Sequence, residues 1–243
     1  VSPNITISPK RAAQLLVLVA VILAALSILG QLYRNYVRLV NPNLFGVVPL
    51  LDVGQDQSIP AWFSAFLLLS CSVLLAVISV AVKNAGGRYV NRWRILAIIF
   101  LYLSVDEGAS IHEKMGHATR FVFGSLGSDL DGPAWVIPGV ALVLIFALAY
   151  LRFVFHLPAR LRFLVLVAGV VYVGSTMGLE VFYSFYASLV PPVREMTTLQ
   201  LVGRVLIITT EELFEMFGII VLIYALLSYL RSQVEEVRFR LSR

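Results

Sequence analysis

Asp106, Glu107, His112, Glu113 and His117 fall within twelve consecutive positions of the stretch YLSVDEGASIHEKMGH. Carboxylates and imidazoles at this density are the raw material of proton transfer and of metal coordination. They close an apolar run that begins near Trp93, and a lone charged carboxylate at mid-bilayer costs roughly 2.5–3.5 kcal/mol on insertion scales. Such groups call for partners. Glu180, Glu211, Glu212 and Glu215 supply them from other apolar segments.

Helical spacing sorts these residues into faces. Asp106, Ser110, Glu113 and His117 form one stripe, with Glu107 and Ile111 beside it. Glu211 and Glu215 share a face, Glu212 lies three residues from Glu215, and Thr176, Glu180 and Tyr183 make a similar set. Counting about 1.5 Å of rise per residue brings Asp106, Glu180 and Glu211 to overlapping depths, so a shared polar cavity opening outward is expected.

Three chemistries suit that cavity. A divalent transition metal, Zn, Fe or Mn, would take ligands from His112, Glu113, His117, Glu180, Glu212 and Glu215, with Asp106, Glu107 and Glu211 as catalytic carboxylates. Metal-bound water would then hydrolyse a lipid or amphiphile, or a redox metal would oxidise one. Glu113 and His117 are four apart, unlike the Glu-x-x-His of ferritin-like bundles, and no His-Glu-x-x-His is present. Alternatively, the carboxylates carry protons or cations through a transporter, although no midspan break of the broken-helix kind is visible. The third reading is an accessory subunit, held by pairing with Arg120, Arg194 or Arg204, with His112, His117 or His156 open to pigment or haem. The metal-dependent enzyme leads these three.

The elements that must position these groups are apolar helices. The 243 residues are 59% hydrophobic and 14% charged, and mean hydropathy is +0.89; soluble domains are about 25% charged. The composition therefore predicts an all-α polytopic membrane protein, a single six-helix bundle with spans near 12–33, 60–82, 93–117, 135–155, 161–186 and 198–229. The first run is too long and wrongly flanked for a signal peptide, and the start at Val1 is expected to reflect either processing or an incomplete start. Gly169, Gly174 and Gly178 predict close helix packing in the fifth span.

The net charge of +5 reflects anchors at helix ends rather than a nucleic-acid surface. Thirteen Lys and Arg fall on the side of Lys10, Lys83, Arg152 and Arg231, against six on the other. The positive-inside rule then puts both termini in the cytoplasm and the protein in a bacterial inner membrane. Its expected partners are membrane lipids, with a homodimer or a larger membrane complex as further company. Cys71, the one cysteine, can form no internal disulfide.

At LSVDEGASIHE, residues 103–113, the chain resembles poorly characterised bacterial multi-pass membrane proteins with an Asp-Glu-x-x-x-x-His-Glu stretch in an internal helix. That resemblance covers the motif, the later glutamates and the length, and implies no particular activity. Ceramidase-like membrane hydrolases are also similar in outline, which keeps hydrolysis open. Their seven helices place three histidines and an aspartate around zinc, whereas this chain lacks the Ser-x-x-x-His and His-x-x-x-His patterns.

Overall fold

A computed structural model describes residues 8–36, 44–111, 136–193 and 195–233. Helix accounts for 88% of these residues, and no strand occurs among them. The helices are α1 (Pro9–Tyr36), α2 (Val47–Leu51), α3 (Ile59–Asn84), α4 (Val90–Ala109), α5 (Val136–His156), α6 (Ala159–Val173), α7 (Glu180–Leu189) and α8 (Thr198–Gln233). A π-helical turn, Gly174–Leu179, joins α6 to α7 without a break.

Among the described residues, five stretches are long and apolar enough to cross a membrane: Pro9–Arg34, Ile59–Asn84, Gly139–His156, Ala159–Leu189 and Thr198–Ser232. The 20-residue α4 is not among them. Arg92 and Arg94 near its start and Asp106 and Glu107 near its end give it four charges.

Local chemistry sets the boundaries. Ser58 caps α3 by accepting the Ala61 amide at 3.2 Å, and Pro60 fits the first turn, where its missing N–H does no harm. Gly86, at φ 66°, takes the left-handed conformation that reverses the chain into α4. At the other end of α4, Ser110 is itself left-handed, with φ 50° and ψ 47°. The helix therefore stops at Ala109, and Asp106 and Ser110 do not continue one uninterrupted helix as their spacing predicts; Glu113 and His117 lie outside the described residues.

The longest helix, α8, is the hub, packing against α1, α3, α6 and the π turn. Its Met216, Ile219, Ile220, Ile223 and Leu226 meet Ala20 and Leu23 of α1 and Leu67, Cys71, Leu75 and Ile78 of α3 in a continuous core. An antiparallel hairpin of α3 and α4 is pinned by two hydroxyls. Ser72 donates to the Ala97 carbonyl at 2.7 Å and Ser104 to the Ala65 carbonyl at 2.8 Å. Interhelical bonds of this kind average about 0.6 kcal/mol in membrane proteins. Ser72→Ala and Ser104→Ala should each lower thermal stability in detergent by roughly that amount, and the double variant by roughly the sum.

Where α4 begins, aromatic rings close the bundle. Trp93 meets Phe153 edge-on with centroids 5.0 Å apart and stacks on Tyr229 at 5.7 Å. Tyr150 and Phe153 of α5 and Leu157 just past its end are buried there, whereas Leu142, Leu144, Ile145 and Leu148, earlier in the helix, are exposed.

Among the described residues, the expected packing role of Gly169, Gly174 and Gly178 is not what the helices use, since a Cβ at any of them would meet nothing within 4 Å. Close approach falls instead to Gly218 of α8. A Cβ there would lie 2.9 Å from the Tyr172 amide nitrogen and 3.1 Å from the Ala168 carbonyl oxygen.

Candidate functional site: an acidic centre beneath a folded-in cap

One ladder of contacts fixes the register of α8 against α6, the π turn and α7. Gly218 sits against Ala168 and Tyr172, Glu215 interacts with the Thr176 side chain, whose hydroxyl donates to the Tyr172 carbonyl at 2.8 Å, and the charge of Glu180 acts on Glu211. Further along, Arg204 Nε donates to the Tyr183 hydroxyl at 3.0 Å, and the Tyr186 hydroxyl donates to the Gln200 carbonyl at 2.6 Å. The two strips are antiparallel; the acidic rungs lie from Thr176 onward, and at the opposite end Arg160 donates to the Tyr224 hydroxyl at 3.0 Å. Glu215 is seventeen residues past Thr198, or about 26 Å along α8, close to the midpoint of a helix about 54 Å long.

Glu107 brings α4 into the same field. It interacts electrostatically with Glu212, Glu215 and Tyr172, and Asp106 reaches Tyr172 as well. Glu107, Glu180, Glu211, Glu212 and Glu215 therefore form one interacting set drawn from three helices. Among the described residues Glu211, Glu212 and Glu215 make no ion pair with a Lys or Arg. Glu211 is buried, while Asp106, Glu107, Glu180, Glu212 and Glu215 are half-buried.

The third wall comes from α3, which runs parallel to α8 where Cys71 Sγ meets the Ile219 carbonyl at 4.0 Å. One heptad earlier on both helices are Ser64 and Glu212, which occupy corresponding positions on the facing sides. Ser64 is 4% exposed, and its Oγ has no hydrogen-bond partner among the described residues. A buried hydroxyl of this kind costs about 1–3 kcal/mol unless something satisfies it. It stands at the level of the carboxylates.

Since Ser64 is only five residues into α3 while Glu212 is fourteen into α8, α3 begins about 13 Å deeper than α8. Residues 44–58 fill the step. Val48, Val53, Asp52 and Ser58 are buried there, and the exposed Asp56 adds its charge to the field at Glu212. The acidic centre thus lies under a cap folded into the end of the bundle.

Of the residues singled out by spacing, the structure assembles Asp106, Glu107, Glu180, Glu211, Glu212 and Glu215. His112, Glu113 and His117 lie outside the described residues. No three His, Cys, Asp or Glu side chains among the described residues form a group able to hold a metal ion. His156 meets Tyr89 at a tilt of 54° with centroids 5.0 Å apart at the aromatic end of α4, away from Asp106 and Glu107. Tyr172, Ser64 and Asp56 went unnoticed in the sequence, because a lone hydroxyl in an apolar run and an aspartate in a loop carry no periodic signal.

Residues 14–230 match the family described as a domain of unknown function, DUF8692. That match spans most of the chain. The chain belongs to this family. No curated protein and no solved structure matches this DUF8692 chain.

Proposed function

We propose that this DUF8692 protein is a cation-coupled membrane carrier, with the Glu107, Glu180, Glu211, Glu212 and Glu215 set as the place where a proton or small cation is bound and released. The observation that carries the reading is the π turn Gly174–Leu179, set in the middle of the Ala159–Leu189 span. It presents Thr176 to Glu215 and leads directly into Glu180. A π turn widens the helix and shifts backbone carbonyls out of their usual pairing, which is why such turns recur at functional sites. The unpartnered Ser64 hydroxyl adds an oxygen ligand on the opposite wall.

In this reading α4 is a sixth span. At about 30 Å its 20 residues match the hydrocarbon thickness, and its hydrogen-bonded pairing with α3 supports the assignment. Six spans put both termini on the basic, cytoplasmic side of a bacterial inner membrane and open the cap to the exterior. Single-cysteine labelling of intact cells at Gln55→Cys, in a Cys71→Ala background, should react with an impermeant maleimide. Labelling only after lysis overturns the orientation.

Metal-dependent chemistry on a lipid is the second reading, and one observation favours it. Asp106 and Glu107 end a helix whose chain continues, three residues past Ala109, into His112 and Glu113. Metal analysis after gentle purification separates the two. The carrier reading expects less than one transition metal per chain, unchanged in Glu113→Ala and Glu212→Ala. One tightly held metal lost in both variants moves the assignment to the enzyme.

A further inference from the structure

Above the acidic centre, between the end of α1, the cap and the start of α8, lies a separate cavity of about 50 Å³. Ser27, Gln31, Arg34, Asp52, Arg204 and Thr209 supply its polar lining. One water needs about 10–15 Å³ on the same measure, so the space accommodates a group of several heavy atoms. We propose that this cavity is an anion-binding site for a carboxylate or phosphate group, held between Arg34 and Arg204.

Hydrogen bonding in the lining supports an anion rather than a cation. Arg34 donates to the Gln31 side-chain oxygen, and the Gln31 amide donates to the Asp52 carboxylate. Asp52 also accepts the Gly54 amide at 3.2 Å. Its negative charge is thus satisfied at the cavity wall, and Asp52 and Gln31 are both buried. Arg204 gives its Nε to Tyr183, whose ring lies 5.8 Å from the guanidinium carbon. Neither arginine ion-pairs with a carboxylate among the described residues.

Two guanidinium charges against one carboxylate leave the lining with an excess of one positive charge. Each arginine has used part of its donor fork and keeps further N–H groups, a geometry suited to two-oxygen recognition of carboxylate or phosphate. Asp56, the nearest other acid of the cap, does not line the cavity and acts on Glu212 instead. The proposal does not rest on the carrier reading, because it uses none of Glu107, Glu180, Glu211, Glu212 and Glu215.

Two sources could present the same chemistry, a free anion or a lipid head group. The test reconstitutes the full chain in phosphatidylcholine nanodiscs. Binding of inorganic phosphate and of acetate is titrated calorimetrically, and retention of added phosphatidylglycerol is read by native mass spectrometry. Saturable binding of any probe, weakened at least about tenfold in Arg204→Gln and Arg34→Gln, is the expected result. Phosphatidylglycerol alone identifies a head group, and phosphate or acetate a free anion. Gln55→Glu gives a control that leaves the internal hydrogen bonds in place. Gln55 lines the cavity yet is exposed, with its amide bonded only to the Gly54 carbonyl, so the added charge should weaken binding without lowering the unfolding temperature. Binding of no probe, or binding unchanged in all three variants, overturns the proposal.

Discussion

In proteoliposomes, Glu215→Gln should lower cation-driven proton movement at least about tenfold, since an intramembrane carboxylate in a translocation path has no neutral substitute. Glutamine keeps the shape and a polar end beside Thr176, so the helix contacts survive and the loss reports on charge. The assay uses vesicles loaded with a pH dye and challenged with an inward Na⁺ or K⁺ gradient. Glu212→Gln should match Glu215→Gln, because both belong to the set joined by Glu107. Ser64→Ala should fall between wild type and these variants. Wild-type signals no larger than those of empty vesicles, under both gradients, would sink the carrier reading.

The largest structural effect should come from Gly218→Val. The atoms a side chain would meet there include the Tyr172 amide nitrogen and the Ala168 carbonyl oxygen, which belong to the α6 backbone and cannot rotate away. Overpacking typically costs about 1–3 kcal/mol, and more where backbones must part. The substitution should lower the unfolding temperature in detergent by several degrees and also pull Thr176 away from Glu215, one helical turn beyond. Gly169→Ala is the matched control. It meets nothing within 4 Å, so it should be neutral or slightly stabilising through helix propensity. Equal losses in the two variants would show that α6 and α8 do not approach at Gly218.

Legibility in the sequence followed the reach of each signal. Apolar runs of about twenty residues announced membrane-competent helices, because length and composition are local properties. The end of α4 was not legible in the same way. Nothing in Gly108-Ala109-Ser110 forbids continuing the helix, and the left-handed Ser110 is recognisable only in three dimensions. Small-residue spacing pointed to Gly169, Gly174 and Gly178, whereas the contact formed at Gly218, since glycine permits close packing without saying which helix will accept it.

For the acidic groups, i,i+3 and i,i+4 spacing identified the shared faces of α8, and a count of rise placed Glu180 near Glu211. Spacing could not supply the interhelical register that sets Glu215 against Thr176 or Ser64 opposite Glu212. The arginine-lined cavity had a faint signal in Ser27, Gln31 and Arg34, at intervals of four and three on the end of α1. Asp52, its buried acid, comes from a segment whose proline and glycine content reads as an ordinary loop.

The way α5 is held has an evolutionary consequence. Its final residues, Tyr150 and Phe153, and Leu157 just past its end, are locked among rings, so their shapes are specified by neighbours. Leu142, Leu144, Ile145 and Leu148 face outward and answer only to the requirement of being apolar. Lineages of this family should therefore exchange Leu, Ile, Val and Phe freely over that half, while the terminal aromatic positions hold their identities; two halves of one helix would drift at different rates.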